Sequence, residues 1–154
     1  MKVEELRMLE DEEIIGYCPE EQDFLPGKLS IITFTQTVNR VRVSAPHKQL
    51  RCLSCGNLLT NEDIQKENFR VFFDVYKKKV GLLTSEEIKH IRAKRKWSQR
   101  KLARFLGIGE KDITRYENGS VQTKSIDNMI RLVNDDQAFE RMNIIFEENK
   151  KGVE

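Results

Sequence analysis

Residues 84–134 read TSEEIKHIRAKRKWSQRKLARFLGIGEKDITRYENGSVQTKSIDNMIRLVN, and this stretch decides the fold of the second half of the chain. It reads as short helices joined by tight turns. Ser85 or Thr84 can cap a first helix, with Glu86 and Glu87 in its first turn, where negative charge suits the helix dipole. Ile88 and Ile91 give that helix an apolar edge. Ser98 caps a second helix, Gln99–Leu106, whose Leu102, Ala103, Phe105 and Leu106 have helical spacing. Gly107-Ile108-Gly109 supplies a sharp reversal. A third helix is expected over Glu110–Asn118, and Gly119 stands where a left-handed cap falls. Thr123 or Ser125 caps a fourth, carrying Ile126, Met129, Ile130 and Val133. A last helix is expected over Asp135–Asn149, with Phe139, Met142, Ile145 and Phe146 along one side, and Lys150–Glu154 are expected to fray.

Helix, glycine turn, helix is the arrangement whose second member docks in the DNA major groove. The segment SQRKLARFLGIGEKDITRYENG resembles the helix-turn-helix of phage-repressor (Xre/Cro) type. The likeness rests on Gln99 opening the second helix, Leu102-Ala103, Gly107, and the Ile113…Tyr116-Glu117-Asn118-Gly119 ending. It implies that the third helix reads sequence, with Lys111 and Arg115 reaching base edges and Gln99 anchoring a phosphate and buttressing the reading helix. Lysine and arginine both donate to guanine O6 and N7, arginine with two hydrogen bonds at once. Thr114 suits a thymine methyl or a phosphate, and Arg100, with Lys94, Arg95, Lys96 and Lys101, supplies phosphate attraction. By the same resemblance Glu117 is structural. Asp112 either accepts from a cytosine amine or pairs with Arg115, and Trp97 packs under the second helix. Such proteins pair to read two half-sites, so the fourth helix and the tail are expected to form a homodimer surface.

The net charge of +2 hides a strong division. Residues 28–83 carry ten positive and four negative side chains and residues 84–119 ten and five, between acidic ends of two against nine and five against seven. A basic segment over a groove-binding motif is the electrostatic footprint of a nucleic-acid binder; a merely solvated surface is the plainer alternative. No apolar run approaches the roughly 20 residues that a membrane span needs, and the first residues lead into an acidic stretch, so a cytoplasmic protein is expected. Three cysteines argue against a secreted disulfide framework and towards metal.

Residues 2–15, with Val3, Leu6, Leu9 and Ile14 among acids, read as weakly helical, and Pro26-Gly27 reads as a turn. Leu29 to Val43 is strand-like, with Asn39 at a hairpin turn and one face buried. Cys52-Leu-Ser-Cys55-Gly56 is a knuckle, two thiols on a turn whose glycine frees the backbone to wrap a metal. Structural zinc wants four ligands. Cys18 is a third, and Glu21 occupies the Cys-x-x position of its partner; Asp23 and His47 are the other candidates for the fourth, and a decayed site is the alternative. Residues 61–83 read as a connecting helix capped by Thr60 or Asn61, with Phe69, Phe72, Phe73, Tyr76 and Val80 on one side. That stripe must pack on its own domain, on the helical domain or in a subunit interface. Lys77-Lys78-Lys79 near its end reads as solvated, with phosphate contact the sharper alternative.

A knuckle pair, a β-hairpin and a repressor-like helix-turn-helix, from Tyr17 to about Arg141, are together similar to the MqsA/YgiT-type antitoxins. The chain departs from that family at Glu21, where a second cysteine is usual, and in its residues before Cys18. The resemblance implies an α+β protein: residues 1–60 a zinc-ribbon-like domain that binds a toxin, 61–83 a linking helix, and 84–149 an all-α five-helix domain for DNA binding and dimerisation. It implies zinc at Cys18, Cys52 and Cys55, with Glu21 standing by its spacing at the place of the fourth ligand, double-stranded DNA as a partner, and a repressor that autoregulates a type II toxin-antitoxin operon. The alternatives are a stand-alone regulator of a phage or mobile element, or a protein-interaction module. No enzyme is expected, because His47 and His90 lack a nucleophile or paired carboxylates in a recognisable motif.

Overall fold

The structure, a computed structural model, describes residues 13–151. Most of the weak helix expected over residues 2–15 lies outside that range, as do residues 152–154 of the tail expected to fray. Where the description begins, the chain is a strand and not a helix. Five antiparallel pairs, from Ile14 with Gly27 to Cys18 with Asp23, join β1 (Ile14–Cys18) to β2 (Asp23–Val38). β3 (Val41–Cys52) and β4 (Leu58–Leu59) complete a four-stranded sheet of order β1-β2-β3-β4, and α1 (Glu62–Lys79) follows. Tyr17 and Thr60 exchange backbone hydrogen bonds of 2.8 Å each way, tying the start of the sheet to the residue after β4.

Asn39 and Arg40 turn the β2–β3 hairpin with φ of 47° and 66°. Positive φ at both positions matches the twist of the strands, and asparagine tolerates it better than most residues. Pro26-Gly27 is not the turn expected from its composition. Both residues lie inside β2, opposite Ile15 and Ile14, and the Pro26 carbonyl accepts from Leu53 N–H at 3.2 Å. Gly27 is there for space, since a Cβ on it would stand 2.7 Å from side-chain atoms of Leu50 and of Leu59. Close approach builds a small core of Cys18, Leu50, Cys52 and Leu59, flanked by Ile14, Leu25, Leu29 and Ile64.

Further along β3, buried Val43 and Ala45 alternate with exposed Arg42 and Ser44, the one-sided burial expected of the hairpin. Asn61 caps α1, its Oδ1 accepting from Ile64 N–H at 3.0 Å. From α1, Phe72 meets Phe34 of β2 at 5.5 Å between rings, and the Tyr76 hydroxyl accepts from Asn39 Nδ2 at 3.2 Å. Asn68 accepts Lys48 N–H and donates to Lys48 C=O, both at 2.8 Å, so one side-chain amide does for β3 what a neighbouring strand would do. Of the aromatic stripe, Phe72 and Tyr76 are buried, while Phe69 stays exposed.

The chain divides into two compact units, the first ending at Tyr76 and the second beginning at Lys77. Lys77 is fully buried, which corrects the expectation of a solvated triplet: its Nζ donates to the Tyr116 carbonyl at 3.2 Å. Five helices follow: α2 (Ser85–Lys94), α3 (Gln99–Leu106), α4 (Glu110–Glu117), α5 (Lys124–Asn134) and α6 (Asp136–Lys151). Thr84 and Glu87 form a reciprocal capping box, Ser98 and Thr123 cap α3 and α5, and Gly107 closes α3 at φ 69°. The core gathers Ile88, Ile91, Leu102, Ile113, Ile130 and Val133 among others, each contributing about 1.5–3 kcal/mol on burial. Trp97 packs between Phe105 and Phe139, and Phe146 meets Phe105. Ile145, expected on the inner stripe of α6, is exposed beside Ile144. Asp127 of α5, with no exposed surface, accepts from Leu83 N–H at 2.7 Å, Gln122 Nε2 at 3.0 Å and Arg131 Nε at 2.8 Å. The fold is α+β, the class expected from sequence. No helix among the described residues is long and apolar enough to cross a membrane.

Candidate metal centre and nucleic-acid interface

Two turns of the first unit bring its cysteines together. Cys18 ends β1, Cys52 ends β3, and Cys55 sits on the turn that follows, where Gly56 at φ 75° donates its N–H to Cys52 C=O at 3.0 Å. All three Sγ atoms lie within 4.8 Å of one another, with Cys18 and Cys55 at 3.5 Å. A tetrahedral zinc with Zn–S bonds of about 2.3 Å separates its sulfurs by about 3.8 Å, so the arrangement fits such an ion. The thiols are free, and Cys18 and Cys52 are buried in the small core while Cys55 is exposed. Their protons are held unequally. The Cys55 N–H directed at Cys52 holds that thiol below its ordinary pKa. For Cys55, the Asn57 N–H acts to lower the value, but desolvation and the neighbouring Cys18 and Cys52 sulfurs outweigh it and leave it raised.

Among the described residues no fourth cysteine, histidine or carboxylate shares that mutual 4.8 Å. Glu21 is bonded to the knuckle, its Oε1 accepting from Ser54 Oγ at 2.8 Å inside the Cys52–Cys55 turn. The other two candidates are engaged elsewhere: Asp23 Oδ1 accepts from Phe24 N–H at 2.7 Å, and His47 lies against Phe34 with Nε2 3.4 Å from Asn68 Nδ2.

In the second unit a chain of side chains fixes α4. Glu117, 1 % exposed, accepts from Arg92 at both oxygens, Nε at 2.7 Å and Nη2 at 3.0 Å, and from Gln99 Nε2 at 2.7 Å. Gln99 Oε1 in turn accepts from Thr114 Oγ1 at 2.8 Å. The hydrogen bonds to the Glu117 carboxylate raise the pKa of Arg92. Glu117 is therefore structural, as its resemblance implied, and α2, α3 and α4 are locked through it. Lys111 and Arg115 are exposed on α4 outside this lock, and Thr114 is exposed as well as bonded into it. Asp112 pairs with Arg115, and Arg100 Nε lies 3.3 Å from Glu110. Among the described residues Lys111 has no ion-pair partner. Lys94 and Arg95, expected to attract phosphates, are bound to the α5–α6 junction: both reach Asp136, at 3.0 and 2.8 Å, and both donate to the Asn134 carbonyl. That structural role escaped the sequence reading because its acceptors lie forty residues away.

The description "antitoxin component of bacterial toxin-antitoxin system, MqsA" belongs to a family model that matches residues 28–139. The match spans most of the chain, including the Cys52–Cys55 knuckle and all of α2 to α5, and the protein belongs to this antitoxin family. Searches of curated proteins and of solved structures return no match.

Proposed function

We propose that the protein is the DNA-binding antitoxin of a type II toxin-antitoxin pair, a cytoplasmic homodimer that represses its own operon. The observation that carries the reading is the lock on α4. A recognition helix must be rigid on its inner side and donor-rich on its outer side, and α4 has Glu117, Gln99 and Thr114 behind it with Lys111 and Arg115 exposed. Gln99 also retains its place at the start of α3, where a phosphate anchor belongs, with Arg100 beside it. Exposed Leu132, Ile144 and Ile145 on α5 and α6 support pairing of two copies through this unit.

The first unit is the toxin-binding and metal-binding part in this reading. Cys18, Cys52 and Cys55 would hold zinc, and Glu21, already drawn to the knuckle by Ser54, would be the fourth ligand. Bound zinc would supply a fixed cross-link between the turns that carry these residues.

The test separates the two parts. Replacing Lys111 and Arg115 together by alanine should reduce binding to the DNA upstream of the operon to its non-specific level, measured by fluorescence anisotropy. Growth rescue from the co-expressed neighbouring toxin should be unchanged. Specific binding that survives the double substitution would show that the reading surface lies elsewhere.

A further inference from the structure

Helix α4 carries three acids, unusual company for a surface that is to meet phosphates. They are not alike. Glu117 is inside the bundle, whereas Glu110 is open to solvent, its side chain 58 % exposed against 62 % for its partner Arg100. Asp112 is intermediate at 27 %, while its partner Arg115 is 65 % exposed. In that pair the acid is the anchored member and the cation the presented one.

The anchoring is specific. Asp112 is held at both oxygens: Oδ2 accepts from the Gly109 backbone N–H at 3.2 Å, and Oδ1 accepts from Arg115 Nη2. A carboxylate at this place also meets the positive end of the helix dipole, so it is stable there before Arg115 is considered. A free arginine carries much rotamer entropy, and what is lost on docking subtracts from binding. Engagement of one N–H on an anchored carboxylate removes part of that loss in advance and leaves the other four donors of the guanidinium unspent.

We infer that Asp112 is a positioning residue for sequence reading: it holds Arg115 towards a guanine and keeps the same arginine from serving as one more phosphate contact. The inference rests on the reading of α4 as the recognition helix. Guanine offers O6 and N7, two neutral acceptors that the remaining donors can take while Asp112 keeps its own. A phosphate offers a charge, which would stand close to the Asp112 carboxylate and be repelled by it. Asp112 therefore acts on the difference between right and wrong DNA, which is what specificity is. Glu110, whose one ion pair among the described residues is with the similarly exposed Arg100 and which makes no bond to Arg115, supplies only a uniform charge and serves as the control.

The experiment uses the full chain and random-sequence duplexes selected on the wild-type protein. Affinity is measured for the best duplex, for the same duplex with each guanine replaced in turn, and for unselected duplex, over a range of salt. The guanine read by Arg115 is the one whose replacement costs Arg115→Ala nothing. At that position Asp112→Ala should lower discrimination by at least about 5-fold, the lower limit for one arginine–guanine pair. Binding to unselected duplex should tighten a few-fold. Asp112→Asn, which keeps an acceptor for Gly109 and so protects the fold, should show the same loss. Glu110→Ala should tighten binding to every duplex alike and leave discrimination unchanged. If both Asp112 variants tighten all duplexes equally, Asp112 is a uniform charge and the inference is overturned while α4 still reads. If the wild-type protein selects no sequence, the reading of α4 falls and takes this inference with it.

Discussion

The two units of this protein reach stability by different routes. The bundle buries ten apolar residues in one core and joins its helices through Glu117 and Asp127, each with all partners supplied by the chain. The core around the sheet's cysteines has four buried residues, and two of them are cysteines. A core that small supplies only a few kcal/mol, which is why small domains recruit metals or cross-links. The helical unit is complete in itself; the sheet has two thiols where a larger protein would put leucines. Two of the three clustered thiols, Cys18 and Cys52, are there part of the core itself, and Cys55 stands exposed beside it.

The strongest way to break this comparison is Cys52→Ser. Loss of one of three thiols should abolish zinc binding, read as the native mass minus the denatured mass, and should remove the dispersed amide resonances of residues 14–60. Metal affinity in such sites is folding energy, on the order of 10 kcal/mol. The unfolding midpoint followed by Trp97, the chain's one tryptophan, should not move, since that residue lies in the bundle. A midpoint that falls with the sheet would mean that the units are not separately stable.

Glu117→Ala strikes the bundle instead. It strands the Arg92 guanidinium and the Gln99 amide, and removing one partner of a buried ion pair costs about 3–5 kcal/mol. The unfolding free energy followed by Trp97 should drop by that amount while the zinc content stays at its wild-type value. Asp127 gives a smaller effect that depends on pH. Burial alone would raise its pKa, but the Leu83 N–H, Arg131 and Gln122 together hold it below the ordinary carboxylate value. A depressed carboxyl contributes stability that is fully present above the unfolded pKa, about 3.9, and is lost as the pH falls through the lower folded value. Asp127→Asn should flatten this acid limb in urea titrations of the bundle, and an unchanged limb would assign it to other carboxylates.

What was legible in the sequence follows the same division. The bundle's helices are set by local signals, so Ser98 and Gly107 delimit α3 at the residues expected of them, and α4 ends one residue before Asn118. The α+β class and the grouping of Cys52 with Cys55 were also readable, because spacing alone carries them. The misread positions answer to distant partners. Gly27 looks like a turn until Leu50 and Leu59 are placed against it. Lys77 looks solvated until the Tyr116 carbonyl is found, and the pairing of Lys94 and Arg95 with Asp136 has no local signal. The hydrogen bond from Ser54 to Glu21 had no sequence signal beyond the Cys-x-x spacing of Glu21.

The exchange of hydrogen bonds between Tyr17 and Thr60 has a consequence in time. Closing a loop of that length carries an entropic cost that each doubling raises by about 0.6 kcal/mol, and it is met before the contacts beyond it give anything back. The β2–β3 hairpin, turning on two adjacent residues, forms locally within about 1–10 μs and shortens the path. Helices α2 to α4 join over shorter separations, 25 residues from Arg92 to Glu117 and 18 from Gln99 to Glu117. Refolding should therefore run on two clocks, the Trp97 signal recovering first and the Cys18 thiol becoming protected from pulsed alkylation later. Protection of Cys18 before Trp97 recovers would reverse the order. In the expected order the sulfurs meet last, as a product of the sheet and not its seed.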